Sequence, residues 1–374
     1  MTDAILKKPL KILIIFPAWV GDMVMAQSLL SFLKAQDSSI VIDGVAPKST
    51  YLLAQRMPEI NQVYSLEVTH GGMQWAQRWQ LGKKLRANEY DQAIVLPNSW
   101  KSALVPFFAN IKKRTGWRGE LRYFLLNDVR ILNKSLFPLM IERFCALGIA
   151  KDVLLPYKLP WPKLKFDVEN QARLREKFHL FPTVARPSQL DLENQPENSC
   201  WNYQSFQKVL AICPGAEYGL SKRWPPEYFA AVAQSFLNQS GQVWILGGPK
   251  DQEVADKIQE ICNHACINLV GKTNLLDAID ILAMASVTLT NDSGLMHISA
   301  AVETPLVAIY GSTTPNFTPP LANQAAVISL NTPCSPCFER TCRFGDYHCL
   351  TGISPDEVIT AVNQLVTLNN QANP

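Results

Sequence analysis

Long apolar runs are absent from this 374-residue sequence, and none approaches the roughly 18 residues that a helix needs to cross a bilayer. The first nine residues carry charged side chains, and no small-residue cleavage site follows the next apolar run, which disfavours a secretory signal peptide. Net charge is also scarce, at +3, and no lysine- or arginine-rich tail of the kind that binds duplexes occurs. We therefore expect a cytoplasmic protein with neither a membrane span nor a nucleic-acid partner.

Several common nucleotide and hydrolase motifs are missing as well. No G-x-G-x-x-G follows the first apolar run, where residues 16–22 read FPAWVGD, and this disfavours a dinucleotide-dependent dehydrogenase. The triplet Gly271-Lys272-Thr273 looks like the end of a P-loop, but Cys266 stands where that motif requires its first glycine. Neither H-E-x-x-H nor G-x-S-x-G occurs.

Composition and periodicity predict the fold class. Hydrophobic residues make up 47% of the chain, and its length suits about two domains with their own cores. Apolar runs that predict strands begin at residues 11, 40, 62 and 92, and again at 208, 243, 266, 287 and 306. Amphipathic runs that predict helices alternate with them. This alternation is typical of an α/β fold with two doubly wound parallel sheets, and two such units in tandem imply a cleft.

Proline and polar residues interrupt the alternation between residues 151 and 203. We therefore predict an N-terminal domain over 1–160, a linker with an irregular excursion over 161–205, and a C-terminal domain over 206–354. A cysteine-rich insertion at 332–350 belongs to the second domain, and a helix over 355–374 ends the chain.

The segment 290–297, TNDSGLMH, joins a strand-like run to a helix-like run. Ser293 is suited to capping a helix, Gly294 allows a ligand to approach the backbone, and a helix dipole favours negative charge at its N-terminus. A diphosphate fits this position, and an ordinary cap and turn fits it too.

Five segments taken together resemble the ADP-heptose-dependent glycosyltransferases of family 9, the lipopolysaccharide heptosyltransferases. They are 17–23 (PAWVGDM), 96–103 (LPNSWKSA), 114–120 (RTGWRGE), 214–225 (PGAEYG and KRWP) and 291–297 (NDSGLMH). The resemblance implies a GT-B fold, with two Rossmann-like domains that face a cleft, the acceptor mainly on the first and the nucleotide-sugar mainly on the second. It also implies inverting transfer, without a metal or other cofactor, of L-glycero-D-manno-heptose from ADP-heptose to the inner-core heptose of a Kdo-lipid A acceptor.

Two other functions remain open from the residues. A nucleotide-sugar 2-epimerase of the same fold would turn over the donor without an acceptor. A two-lobed solute-binding protein would bind its ligand without chemistry, although the missing signal peptide argues against that class.

Asp22 is the predicted catalytic base. A sugar hydroxyl is too weak an acid to ionise freely, so a transferase places a carboxylate or histidine beside it. Asp22 follows the first predicted strand, at the edge where α/β folds bind ligands. A helix cap for the segment that begins at Met23 is the alternative, and the family resemblance favours the base.

Lys222 is the predicted second catalytic residue, because departing ADP carries negative charge that a cation must stabilise. Arg223 is expected to assist it. Asp292 is expected to accept hydrogen bonds from sugar hydroxyls, since a carboxylate would repel phosphate. The whole predicted donor site comprises Gly215, Lys222, Arg223, Asp292, Ser293, Gly294, His297, Gly311, Ser312 and Thr313.

A basic segment between residues 112 and 130, interleaved with aromatic residues, suits an anionic glycolipid, because arginine binds phosphates and carboxylates through two parallel hydrogen bonds. The predicted acceptor site comprises Lys101, Arg114, Trp117, Arg118 and Arg122. The basic, tryptophan-containing segment 75–86 fits either peripheral contact with the inner membrane or inward packing.

Four late cysteines follow the spacing C-x2-C-x4-C-x6-C, at Cys334, Cys337, Cys342 and Cys349. The opening C-x2-C suits zinc or an iron–sulfur cluster, but the other spacings match neither a zinc ribbon nor a ferredoxin. Reduced thiols or a disulfide are the alternatives. The transfer chemistry itself does not require this segment.

Overall fold

The structure is a computed structural model that describes residues 8–67, 73–151, 153–180 and 208–372. It divides into two units, unit 1 with Met1–Lys165 and Asn316–Thr318, and unit 2 with Phe166–Pro315 and Pro319–Pro374. Most of the predicted irregular excursion lies outside the described residues. Among the described helices, none has both the length and the apolar character needed to cross a bilayer.

Unit 1 contains a six-stranded parallel sheet in the order β3-β2-β1-β4-β5-β6. Its strands are β1 (Lys11–Ile15), β2 (Val41–Pro47), β3 (Ile60–Leu66), β4 (Gln92–Val95), β5 (Lys113–Trp117) and β6 (Asp128–Arg130). Its helices are α1 (Val20–Gln36), α2 (Lys48–Ala54), α3 (Trp75–Leu85), α4 (Leu104–Phe108) and α5 (Met140–Cys145). Short 3-10 turns occupy Arg86–Asn88, Trp100–Ala103 and Ala146–Gly148.

Unit 2 repeats this architecture with a parallel sheet in the order β12-β11-β10-β7-β8-β9. Its strands are β7 (Val209–Cys213), β8 (Gln242–Ile245), β9 (Ile267–Asn268), β10 (Val287–Asn291), β11 (Leu306–Tyr310) and β12 (Ala325–Ser329). Its helices are α6 (Val168–Phe178), α7 (Pro226–Leu237), α8 (Gln252–Ile261), α9 (Leu275–Met284), α10 (Gly294–Ala301), α11 (His348–Thr351) and α12 (Pro355–Ala372). Leu220–Lys222 and Pro249–Asp251 form 3-10 turns.

The central strands are buried on both faces, because helices cover both sides of a parallel sheet. Every residue of β7, β10 and β11 is buried. In unit 1 the equivalent core forms around Leu13, Val45 and Val95. The predicted α/β class with two doubly wound parallel sheets is therefore confirmed.

Three strands were not predicted from the sequence. Strand β5 starts with two charged residues and β6 has only three residues, so neither presents an apolar run. Strand β12 lies at the sheet edge, and only one of its five residues is buried. The first helix also begins earlier than the Met23 start considered from the sequence, because α1 begins at Val20.

Candidate active site

In each sheet the first strand lies where the strand order reverses direction. In unit 1, β1 pairs with β2 on one side and β4 on the other. In unit 2, β7 pairs in the same way with β8 and β10. Ligands of open α/β sheets bind beyond the carboxyl ends of strands at such a position. The loops after β1, β7, β10 and β11 are therefore the places to examine.

Three of those loops meet at the carboxylate of Asp292. The Lys222 ammonium donates to Asp292 Oδ2 at 2.6 Å, and the Thr313 hydroxyl donates to the same oxygen at 2.6 Å. The carboxylate is almost fully buried, and the lysine side chain is 14% exposed. A buried carboxylate requires such compensation, because removal from water penalises its charge. The structure thus brings together three of the predicted donor-site residues.

Asn291, which the sequence reasoning left without a role, joins the end of β10 to the segment that follows β7. Its amide Nδ2 donates to the carbonyl of Pro214 at 2.7 Å, and its Oδ1 accepts from the backbone N–H of Trp224 at 3.1 Å. The side chain is fully buried. An asparagine at the last position of a buried strand is the sequence signal, since a buried amide must find both donor and acceptor partners.

His297 lies in the first turns of α10 and is buried. Burial lowers the pKa of its imidazole to about 4, Asp292 opposes that shift, and Lys222 adds to it. The ring is therefore neutral at pH 7. It offers one nitrogen donor and one acceptor rather than a positive charge.

The N-terminus of α10 differs from the expected side-chain cap. Ser293 occupies the N-cap position, but its side chain makes no capping hydrogen bond, and its hydroxyl lies 3.4 Å from that of Thr290. Gly294 is the first helical residue. The first amides of a helix have no intrahelical partner, so this terminus can donate to an anion.

The loop after β11 packs directly on the loop that carries Lys222. The hydroxyls of Ser312 and Ser221 lie 3.0 Å apart, and the Ser312 N–H donates to the Ser221 carbonyl at 3.2 Å. A Cβ at Gly311 would stand 2.7 Å from that carbonyl oxygen, which explains the glycine. These residues hold the lysine loop in place.

Arg223 and Gly215 belong to a neighbouring cluster rather than to the one at Asp292. The Arg223 guanidinium donates to the Ala216 carbonyl at 3.2 Å and to Asp251 Oδ1 at 3.3 Å. A Cβ at Gly215 would overlap the Asp251 carboxylate. Arg223 therefore braces the first part of this loop.

In unit 1, Asp22 occupies the first turn of α1 and is half-buried. The alternative that Asp22 caps a helix starting at Met23 is wrong, because α1 begins at Val20 and Trp19 is its N-cap residue. The Met23 N–H donates to the Trp19 carbonyl at 2.9 Å as the helix begins.

The predicted acceptor residues divide between inward and outward positions. Arg122 is 1% exposed, and its guanidinium donates to the carbonyls of Pro97 and Trp117 at 2.6 and 2.9 Å, among other acceptors. Burial lowers the pKa of Arg122 to about 10, against the opposing effect of Glu120.

The remaining members follow the same division. Trp117 is buried, and its indole N–H donates to the backbone carbonyl of Arg143 at 3.0 Å. Arg114 donates to two backbone carbonyls, whereas Lys101 is half-buried and Arg118 is exposed. Lys101 and Arg118 are thus the two cations of this set whose side chains remain for a ligand.

The four late cysteines are unbridged, with Cys334 exposed and Cys337, Cys342 and Cys349 half-buried. Among the described residues, no group of three or more histidine, cysteine or acidic side chains is arranged to hold a metal ion. Burial, followed by the neighbouring cysteines, raises the pKa of the Cys349 thiol to about 11.

Comparisons with known proteins identify the family of this chain. The sequence model of glycosyltransferase family 9 (heptosyltransferase) matches residues 78–348. Lipopolysaccharide heptosyltransferase 2 of Salmonella typhimurium is 40% identical over 367 residues, covering 96% of this chain and 99% of its own. Lipooligosaccharide heptosyltransferase 2 of Haemophilus ducreyi is 41% identical with the same coverage. The solved structure of Escherichia coli ADP-heptose lps heptosyltransferase II superposes with a TM-score of 0.81 at 39% identity, covering 96% of this chain and 100% of that one.

Proposed function

Because the chain belongs to glycosyltransferase family 9, the heptosyltransferases, we propose that it transfers L-glycero-D-manno-heptose from ADP-heptose to the first heptose of the lipopolysaccharide inner core. The proposed acceptor is heptosyl-Kdo-lipid A. Relatives that carry the heptosyltransferase 2 name over nearly their whole length support this choice. The 2-epimerase and solute-binding alternatives are not favoured.

The cluster of Lys222, Asp292 and Thr313 is the observation that carries the donor side of this proposal. It lies beyond the carboxyl ends of β7, β10 and β11, beside the N-terminus of α10. An ammonium and helix amides are groups that bind a diphosphate. Asp292 then has two proposed tasks, which are to hold the lysine and to accept from sugar hydroxyls.

The proposed chemistry is a single displacement at the anomeric carbon. The acceptor oxygen forms a bond to C1 as the bond from C1 to the phosphate oxygen breaks, and ADP leaves with the electron pair. Lys222 and the amides of α10 stabilise the negative charge on ADP, so the proposal includes no metal or other cofactor.

Asp22 accepts the proton that the acceptor hydroxyl loses. One carboxylate acting as base suffices for an inverting reaction, in which no covalent sugar–enzyme intermediate forms. Its half-buried position in the first turn of α1, directly after the loop that follows β1, is consistent with this role, because α/β folds bind ligands at that edge of the sheet.

Unit 1 offers a surface for the glycolipid. Trp75 and Trp79 are nearly half-exposed, and the Lys83 ammonium lies 4.7 Å from the centroid of the Trp79 ring. Tryptophans flanked by lysines suit the interface of an anionic membrane. We therefore place the enzyme at the cytoplasmic face of the inner membrane, with Lys101 and Arg118 as acceptor-binding cations.

The deciding experiment measures ADP release from ADP-heptose with and without heptosyl-Kdo-lipid A. We expect release that depends on the acceptor, together with a product heavier by one heptose. Donor turnover without acceptor would support an epimerase or hydrolase instead. Binding of the donor with no release under either condition would support a solute-binding protein.

A further inference from the structure

The cysteine-rich segment, residues 332–350, packs onto the loops that form the proposed donor site. The Phe338 N–H donates to the Ser312 carbonyl at 2.8 Å, and the Ser221 N–H donates to the Arg340 carbonyl at 3.3 Å. The Tyr218 hydroxyl donates to the Phe338 carbonyl, and the Ser221 hydroxyl donates to that of Glu339. Residues 338–340 are therefore fixed beside the loop that carries Lys222.

Close packing at Gly219 shows how near the two segments come. A Cβ at this position would overlap the carbonyl oxygen of Arg340. Only glycine allows the backbone of the donor loop and the backbone of the cysteine-rich segment to approach this closely. The backbone of Arg340, which carries its side chain, therefore lies in contact with the loop that contains Gly219 and Lys222.

The cations around these loops are not equally available. Lys222 pairs with Asp292 at 2.6 Å, Arg223 with Asp251 at 3.3 Å, and Lys250 with Glu217 at 2.6 Å. Arg343, in the cysteine-rich segment, pairs with Glu339 at 3.6 Å. Arg340 is exposed, and the described residues provide it with no carboxylate at ion-pair distance. Of these five described cations, Arg340 is therefore the one that no carboxylate balances at ion-pair distance.

Tyr218 places this charge near the catalytic lysine. The Lys222 ammonium lies 4.9 Å from the centroid of the Tyr218 ring, and the Arg340 guanidinium carbon lies 5.4 Å from it. The two cations can thus stand no more than about 10 Å apart, which is one Debye length at moderate salt. A diphosphate bound at Lys222 lies within the field of Arg340.

We propose that Arg340 is a further donor-binding residue, whose guanidinium contacts the diphosphate of the nucleotide-sugar beside Lys222. This inference rests on the proposed function. Asp292 already balances Lys222, so a dianionic diphosphate needs a second cation, and Arg340 supplies it. The cysteine-rich segment would then bind substrate as well as support the fold.

Calorimetric binding of ADP and of adenosine to the full chain tests the proposal. Arg340→Ala should weaken ADP binding by about 10- to 100-fold, the range for a hydrogen bond to a charged group, and should leave adenosine binding unchanged. Arg340→Lys should recover part of the loss because it restores the charge. Arg343→Ala, in the same segment, is the matched control and should bind both ligands like the wild type.

The outcomes separate the two proposals. Wild type that fails to bind ADP overturns the proposed function and, with it, the role of Arg340. If the wild type binds ADP and Arg340→Ala binds it equally tightly, the role of Arg340 is overturned and the proposed function is not. An equal loss of ADP and adenosine affinity, or the same loss in Arg343→Ala, also overturns it, because the segment would then act only as a support.

Discussion

At the scale of single residues, Asp292 changes meaning once its neighbours are known. In the sequence, a carboxylate beside a diphosphate site has the wrong sign. In the structure, its charge is balanced by the Lys222 ammonium at 2.6 Å, and Thr313 occupies the same oxygen. The carboxylate therefore positions Lys222, the cation that we propose binds the donor. Residue type alone could not show this, because the two side chains are 70 positions apart.

Lys222→Ala should lower kcat/KM for heptose transfer by at least about 100-fold, because one preorganised charge on the leaving group is lost. Steady-state ADP release would measure this effect. Lys250→Ala is the matched control, since Lys250 is exposed and pairs with Glu217 on the surface. Equal activity of the two variants would remove Lys222 from the site.

Asp22→Asn should lower kcat by about 100- to 10,000-fold, the usual contribution of a general base, while ADP affinity stays unchanged. Rapid-mixing transfer assays and calorimetric ADP binding separate the two effects. Asp37→Asn, at the C-cap end of the same helix, should behave like the wild type. A near-normal kcat in Asp22→Asn would contradict the assignment of the base.

His297 should make stability depend on pH. Its native pKa of about 4 lies below the ordinary value of 6.5, so between these values the unfolded chain binds a proton that the native protein does not. The free energy of unfolding should therefore fall as pH drops from 6.5 to 4, by up to about 1.4 kcal/mol per pH unit. Urea unfolding at several pH values across this window gives the free energy of unfolding at each pH. That free energy should fall less steeply with falling pH in His297→Gln than in the wild type. Identical slopes would mean that another group is responsible.

At the scale of elements, continuous burial is what made the central strands easiest to predict from the sequence. Strands β1, β7, β10 and β11 read as apolar runs because both of their faces are covered. Strand β5 was instead interpreted as part of a basic acceptor patch, since it starts with Lys113 and Arg114. Charge on a strand end and charge on a binding surface look the same until the sheet is known.

Arg122 is an example of this ambiguity. It was predicted to bind the acceptor, but its buried guanidinium joins the loop after β4 to the loop after β5. It donates to Pro97, Ser99 and Ser102 through one nitrogen and to Asn98 and Trp117 through the other. These hydrogen bonds hold the two loops together, so the Arg122 guanidinium has a structural role whether or not the loops bind the acceptor.

Arg122→Lys should lower the free energy of unfolding by about 2–4 kcal/mol, since an ammonium cannot reproduce the fork of donors and leaves buried carbonyls unpaired. Urea unfolding would show a lower midpoint. Arg118→Lys, on the exposed side of the same segment, should stay within about 0.5 kcal/mol of the wild type. Similar losses in both variants would argue against the structural role of Arg122.

At the scale of the whole molecule, the sequence predicted two doubly wound parallel sheets. It also predicted most of the loops that follow the central strands at their carboxyl ends. It could not show that the cysteine-rich segment packs on the donor loops. Those contacts use the main-chain atoms of Phe338, Glu339 and Arg340, and backbone groups are the same in every residue type. The sequence also did not predict that Asn291 would join the end of β10 to the segment after β7.

Saturating ADP should stabilise the chain, by about 2.7 kcal/mol at a ligand concentration 100 times its dissociation constant. Hydrogen exchange should locate the slowed amides in the loops after β7, β10 and β11 and at residues 338–340. Strands β2 and β3 of unit 1 serve as the internal reference. Protection confined to unit 1 would contradict the donor site described above.

Attachment through the backbone leaves the side chains at 338–340 open to change. Substitution there alters what faces the ligand while the anchoring bonds remain, so a short library at these three positions should keep folded proteins at high frequency. If Arg340 binds the donor as proposed, such variants would change affinity for the diphosphate without disturbing the loops that position it.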